Sequence, residues 1–363
     1  MTQTLALSVE NLSLSFHSRT GRIPVLRNVS IDIEPGEIVG LVGESGSGKS
    51  VMSLQVARLL PEDSVMIESG DVTVNGISTR AATPRQMTRL RGSRIGFIFQ
   101  EPMTALSPTM TVGKQLGLAI RRHRGGSRRE VREQAVAALE EVRIKNADVV
   151  VDQYPFELSG GMRQRVVIAL AMVGNPSLLI ADEPTTALDV TVQDEILKLI
   201  RQLAQDHGMS VLFVSHDLAV VSNLCQRVFV LYAGEVIEHG TTRQIIDAPA
   251  HPYTRALVAA LPRLDGEGEL KPIPGEPPDP RSVGNGCVFA PRCPERFEPC
   301  DLKPPNLDLQ PRHRAACWLH ASELPAAVGG QAAVGGQTAV GGQTAVGGQA
   351  AVGGQAEEAG DVR

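Results

Sequence analysis

No apolar run in this chain approaches the roughly 18 residues that a membrane-spanning helix needs, so no helix is expected to cross a bilayer. The N-terminus carries no apolar signal segment, which places the chain, as an expectation, in the cytoplasm. No basic stripe stands out either. The 35 Lys and Arg are balanced by 40 Asp and Glu, a net charge of −5, which argues against nucleic acid as the main partner. A local basic run, Arg121-Arg122-His123-Arg124 with Arg128-Arg129, reads as a solvated loop, with a contact near acidic lipid headgroups as the alternative. Paired C-x-x-C knuckles, common at structural zinc sites, are also missing. What is present is a chain of 363 residues with 42% hydrophobic content, enough for two or three domains and a real core.

Two short segments carry most of the chemistry. Gly43-Glu44-Ser45-Gly46-Ser47-Gly48-Lys49-Ser50 has the spacing G-x-x-x-x-G-K-[ST]. It follows Glu37–Val42, an apolar run that reads as a buried parallel strand, and precedes a helix beginning near Ser50. Glycines there let backbone N–H groups converge on phosphate oxygens, and the helix N-terminus adds unpaired donors. Lys49 would reach the outer phosphates and Ser50 would present a hydroxyl to Mg²⁺; Val51 completes the segment. A second apolar run, Ser177 to Ala181, ends in Asp182-Glu183. Carboxylates at the C-terminal edge of a parallel strand face a ligand crevice. Asp182 is expected to hold Mg²⁺ and Glu183 to act as general base on the attacking water. Two more strands end in polar residues: Val211 to Ser215 in His216, a γ-phosphate sensor, and Ile95 to Phe99 in Gln100, suited to Mg²⁺ and the attacking water.

The other segment is Leu158-Ser159-Gly160-Gly161-Met162-Arg163-Gln164. With it, residues 5–240 resemble the ABC ATPase family, whose motifs all have counterparts here in the family's order. The resemblance implies an α/β fold: a P-loop ABC-type nucleotide-binding domain with a parallel core sheet, an antiparallel β subdomain and a helical subdomain. It implies ATP binding and hydrolysis, with Phe16 stacking on adenine (His17 or Val25 could share that role) and Gln100 and His216 as switch residues. Ser159, Gly160 and Gly161 match the signature that meets the partner cassette's nucleotide, with Met162 where many members carry Gln. Asp189 falls in the segment Ala187-Leu188-Asp189 that meets its twin across the dimer. No catalytic position looks degenerate. A soluble ABC ATPase with a metal- or redox-sensing extension is the competing reading; soluble members of translation or DNA repair usually carry tandem cassettes or a long coiled coil, and this chain shows neither.

Downstream of residue 245 the composition shifts towards proline. The organisation expected is an ATPase domain over 1–245, with its helical subdomain at about 101–170, then an extension over 246–322 and a low-complexity tail over 323–363. The tail holds five near-copies of Ala/Thr-Ala-Val-Gly-Gly-Gln between Ala326 and Gln355, a composition suited to a flexible segment. The extension crowds Cys287, Cys293, Cys300 and Cys317 into 31 residues. In a cytoplasmic chain metal ligation leads over disulfides. On chemistry alone the C-x₅-C-x₆-C-x₁₆-C spacing leaves zinc and a [4Fe–4S] cluster both open. Cys225 is expected to pack in the core.

His251-Pro252-Tyr253-Thr254, Pro274-Gly275-Glu276-Pro277-Pro278 and Gly286-Cys287-Val288-Phe289-Ala290-Pro291-Arg292-Cys293-Pro294 resemble the extension of oligopeptide/dipeptide/nickel importer ATPases. That resemblance tilts the metal choice to iron–sulfur over zinc. It implies an importer at the cytoplasmic face of the membrane: a second, different cassette chain, two membrane permeases and an extracytoplasmic solute-binding protein, with no nucleic acid. The solute itself is not written in this chain.

Overall fold

The computed structural model describes residues 4–19, 21–186, 188–261 and 273–322. The repeat tail lies outside the described residues, as does Ala187. The elements run in chain order as β1 (Leu7–Ser18), β2 (Gly21–Ile33), β3 (Ile38–Val42), α1 (Lys49–Val56), β4 (Val65–Val74), β5 (Ile77–Ser78), α2 (Pro84–Ser93) and β6 (Ile95–Ile98). Helices α3 (Pro102–Ala105), α4 (Val112–His123), α5 (Arg128–Glu141), α6 (Ala147–Val150) and α7 (Gly160–Met172) follow. The core resumes with β7 (Leu178–Asp182), α8 (Val190–His207), β8 (Ser210–Ser215), α9 (Leu218–Leu224), β9 (Arg227–Tyr232) and β10 (Glu235–Thr241). Then come α10 (Thr242–Asp247), α11 (Pro252–Ala259), β11 (Asn306–Gln310) and β12 (His313–Ala316).

These strands form two sheets. The smaller, β2-β1-β4-β5, is antiparallel. Its apolar–polar alternation breaks at Asn11, which takes a positive φ of 50° where the register with β2 slips. The larger has the order β11-β12-β10-β9-β3-β8-β7-β6. Its five strands from β9 to β6 are parallel. Every residue of β3, β7 and β8 is buried, which explains their unbroken apolar runs. Ala233 and Gly234, with φ of 46° and 82°, make the tight turn that joins β9 to β10. The register sets Val42 beside Ser215, and Asp182 beside Val214, so the C-terminal ends of the central strands line up along one edge.

Helices α3 to α7 lie between β6 and β7 in sequence. Thr111 caps α4 on the Lys114 N–H, and Ser127 forms a capping box with Glu130 at α5. The basic run is not a loop: Arg121-Arg122-His123 forms the last turn of α4, where cations suit the helix dipole, and Arg128-Arg129 opens α5. Two apolar cores result. One packs helices α4, α5, α7 and α8 on the parallel sheet through residues such as Leu116, Leu139, Ile168 and Phe213. The other fills the space between the antiparallel sheet, α1 and the parallel sheet, through Leu12, Val29, Met52 and Leu231. Cys225 is buried in the first core. Among the described residues no helix is long and apolar enough to cross a membrane.

The segment beyond 245 is built into the large sheet. β12 pairs with β10 and β11 pairs with β12. The join is made by Glu238, whose fully buried carboxylate accepts the N–H groups of Ala250 and His251, each at 2.8 Å, and pairs with His313 Nε2 at 2.8 Å.

Candidate active site and signature surface

The phosphate loop leaves β3 at Gly43, whose φ is 156°. A Cβ there would run into the Leu231 carbonyl oxygen and the Ser47 Oγ, so only glycine lets the chain turn this close to β9. Gly48, at φ 104°, caps α1 and gives its carbonyl to the Met52 N–H at 2.9 Å. The next residue, Lys49, is buried, and its Nζ donates to the carbonyls of Gly43 (2.8 Å) and Glu44 (2.9 Å). Burial lowers its pKa, against the pull of Glu183, Asp182 and Glu44. The ammonium is thus held at the mouth of the loop by groups that phosphate oxygens can replace.

Asp182 ends β7, buried, and accepts the Ser53 hydroxyl at 2.9 Å and the Ser50 hydroxyl at 3.3 Å. Burial raises its pKa, partly offset by these two hydroxyls. Glu183 follows with φ 46°, its N–H tied to the Val214 carbonyl at 2.9 Å. This left-handed turn swings its carboxylate out of the strand line. Gln100 Nε2 donates to it at 3.1 Å, Thr186 Oγ1 at 3.0 Å, and His216 Nδ1 stands 3.2 Å away. Gln100, Glu183 and His216 are therefore brought together, and Lys49, Ser50 and Asp182 form the adjoining group. The pairing of a hydroxyl with a carboxylate at Ser50 and Asp182 suits Mg²⁺, which takes few protein ligands and completes its shell with water and phosphate.

Phe16 is half-buried in β1, opposite Ile23 and Val65. Val25, by contrast, lines a hollow directly against Glu44, Ser45, Gly46 and Ser47. The signature residues lie elsewhere. Ser159 and Gly160 are exposed at the N-terminus of α7, and Ser159 Oγ accepts the Met162 N–H at 3.3 Å. A Cβ on Gly161 would approach Val192 to 2.8 Å, so a glycine here lets the starts of α7 and α8 pack closely. Asp189 caps α8 through the Val192 N–H at 3.0 Å, beside the exposed Val190. Ser159 and Gly160 thus stand exposed at a helix N-terminus, where the dipole favours an anion.

The four extension cysteines are free thiols. Burial pushes Cys287 up to about 11, and the charges of Cys300, Cys317 and Cys293 push the same way. Cys293 and Cys317 are raised likewise, first by burial. The Cys287 N–H donates to the Cys300 carbonyl at 2.9 Å, so these two at least are neighbours. Among the described residues, however, no three His, Cys, Asp or Glu side chains are arranged to hold a metal. The expected metal centre is therefore not formed among the described residues.

Sequence reading did not place two contacts on the loop. The Tyr253 hydroxyl accepts the Glu44 N–H at 2.9 Å, and Arg292 forks onto the Glu44 carboxylate at 2.6 and 3.1 Å. Ser53 was also missed, although it lies one helical turn beyond Ser50 and so shares its face.

The ABC transporter family profile matches residues 26–186, and the profile for the oligopeptide/dipeptide transporter C-terminal region matches residues 237–300. The protein named "Probable D,D-dipeptide transport ATP-binding protein DdpD" of Escherichia coli (strain K12) is 48% identical over 326 residues, covering 89% of this chain and 99% of that protein. The dipeptide transport ATP-binding protein DppD of Bacillus subtilis (strain 168) is 44% identical over 89% of this chain and 97% of its own length. Among solved structures, the dimeric post-hydrolysis state of the ATP-binding cassette MJ0796 bound to ADP and Pi is similar, with a TM-score of 0.58 and 32% identity. It covers 65% of this chain and 99% of that one. The chain belongs to the ABC transporter family and carries the C-terminal region of its oligopeptide/dipeptide branch. Its fold is that of an ATP-binding cassette and its class of activity is ATP hydrolysis coupled to transport.

Proposed function

We propose that the chain drives an importer of dipeptides, oligopeptides or related small solutes, working as one of two cassettes docked on membrane permeases, and that Glu183 is its catalytic base. The observation that carries this reading is the convergence of Lys49, Ser50, Asp182, Glu183, Gln100 and His216 at the C-terminal ends of parallel strands. Lys49 and the loop amides of Gly43 to Ser50 bind and orient the phosphates of ATP. Ser50 and Asp182 would hold Mg²⁺, which when bound neutralises charge developing on the transferred phosphoryl group. A water lying in line with the γ-phosphorus loses a proton to Glu183 as its oxygen bonds phosphorus and the bond to ADP breaks. Gln100 and His216 fix the Glu183 carboxylate, and His216 would sense the γ-phosphate.

Ser159, Gly160 and Gly161 offer their helix N-terminus to the nucleotide of a partner cassette, with Asp189 at the shared seam. The partner is a related but different chain. Docking on permeases is supported by the helical layer, where Leu118, Val149 and Phe156 are exposed and a groove of about 580 Å³ runs between α4 and α5 past Lys114, Leu118 and Arg128. This would hold the chain on the cytoplasmic face of the membrane. An extracytoplasmic solute-binding protein completes the assembly and selects the solute.

The thiols of Cys287, Cys293, Cys300 and Cys317 are proposed to take a [4Fe–4S] cluster in a structural role, with zinc the alternative; support comes from the donor chemistry of four free thiols within 31 residues of chain. Anaerobically purified protein should be brown with about four irons per chain; a colourless, zinc-rich preparation overturns this assignment. For the importer reading, the test is purification of the tagged chain from detergent-solubilised native membranes. Recovery with two multi-span permeases, a second cassette and a binding protein supports it. Recovery only in the soluble fraction with ribosomes or repair proteins overturns transport and leaves the ATPase chemistry standing.

A further inference from the structure

Glu44 is the second residue of the phosphate loop, and it is gripped at three points. Its carbonyl accepts Lys49 Nζ at 2.9 Å, its N–H donates to the Tyr253 hydroxyl at 2.9 Å, and its carboxylate receives both terminal nitrogens of Arg292. Two of these three grips come from beyond residue 245. Tyr253 is fully buried, and the Arg292 side chain is only 6% exposed.

Arg292 is unusually constrained for an arginine. Its Nε donates to the Pro274 carbonyl at 2.8 Å, one terminal nitrogen to Glu44 and to the Tyr232 hydroxyl (3.2 Å), the other to Glu44 and to the Ile273 carbonyl (3.4 Å). All five guanidinium N–H groups thus have an acceptor. The guanidinium also sits 5.7 Å from the Tyr232 ring centroid, and Tyr232, Tyr253 and Phe289 pack ring against ring behind it. Burial works against the charge of Arg292, and Glu44 and Tyr232 more than reverse that effect. A charge-assisted, bidentate, saturated contact of this kind fixes geometry. What it fixes here is the residue whose carbonyl holds Lys49.

We propose that Arg292 is a positioning residue for nucleotide binding: through Glu44, the C-terminal extension sets the shape of the phosphate loop. The inference rests on the reading of Gly43 to Ser50 as the ATP site. Arg292 touches no nucleotide; its effect reaches Lys49 only through Glu44. Without it the loop spends part of its time in shapes that do not match the phosphates, so affinity falls while the Glu183 chemistry, once ATP is seated, is little changed.

The test uses the full-length chain, with steady-state ATP hydrolysis and equilibrium binding of ATP. Arg292→Ala should raise KM and Kd for ATP roughly tenfold while kcat stays within about threefold. Arg292→Lys should recover only part of the loss, because one ammonium cannot replace the fork. Glu44→Gln, at a half-buried carboxylate whose loss endangers folding less, should reproduce the Arg292→Ala effect. The double variant should be no worse than either single one within about twofold, because both act on one contact. An unchanged KM in Glu44→Gln overturns the proposal, as do losses that multiply in the double variant or a loss confined to kcat. Lys49→Ala separates the two levels. If it abolishes ATP binding while Arg292→Ala does nothing, only this inference fails; if it binds ATP as the wild type does, the ATP-site reading fails first.

Discussion

Replacing Glu183 with Gln tests the proposed chemistry with little disturbance of structure. The side chain keeps its length, and the φ of 46° that the position requires is unaffected by the change. The amide oxygen can stay on the side of Gln100 and Thr186, which donate at 3.1 and 3.0 Å, while the new NH₂ turns to His216 Nδ1, 3.2 Å from the present carboxylate. A neutral imidazole accepts there, so no partner need be orphaned. The lost property is proton acceptance. General-base catalysis contributes roughly 10²–10⁴-fold, about 3–5 kcal/mol of barrier, so kcat should fall by that factor. Lys49, Ser50 and the loop amides are untouched, so KM for ATP should move by less than about threefold. The assays are phosphate release at saturating Mg-ATP, ATP binding at equilibrium, and size-exclusion chromatography with ATP and the partner cassette, where the variant should accumulate in a closed dimer. Turnover within tenfold of wild type refutes the base assignment. A loss seen only in KM moves Glu183 from chemistry to ground-state binding.

Two further predictions concern the join between core and extension. Glu238→Ala strips the acceptor from two buried N–H groups and from His313, and should cost about 3–5 kcal/mol in urea unfolding; a change below about 1 kcal/mol would show that the knot does not hold the extension. His251 is buried and neutral, and burial pulls its pKa down from 6.5 to about 3. The unfolded chain binds a proton below pH 6.5 that the folded chain refuses, so stability falls from that pH down to about 3, by about 2 kcal/mol per molecule at pH 5. His251→Asn, which keeps an acceptor for the Tyr253 N–H, should flatten that slope between pH 7 and 5; an unchanged slope assigns the acid sensitivity to other groups.

The parts of the site that a sequence can disclose are those set by local rules. The glycine loop between a buried strand and a helix, Asp182 and Glu183 at the end of an apolar run, and Ser159 one residue ahead of α7 are all readable from short windows. Even the slip of register at Asn11 leaves a trace in the broken alternation of β1. Contacts between distant segments leave none. Arg292 lies 248 residues from Glu44 and Tyr253 lies 209 residues from it, and nothing in either neighbourhood announces the loop as its partner. The sequence names Val25 beside Phe16 and His17, but that it alone of the three lines the hollow against Glu44 to Ser47 follows from sheet packing and not from motif spacing. The cysteine spacing named the donors but not their geometry, since loop conformation, not separation in sequence, decides whether thiols converge.

The pairing of β12 with β10 has a consequence for solubility. Without residues 306–316, β10 would end the large sheet with a row of open N–H and C=O groups along a partly apolar strand, a template for adding strands from other molecules. The extension closes that template and presents β11 in its place, a five-residue strand bearing Asn306, Asp308 and Gln310 on its exposed positions. Short, polar edge strands resist self-association. A chain cut at 245 is therefore expected to lose colloidal stability along with its grip on Glu44.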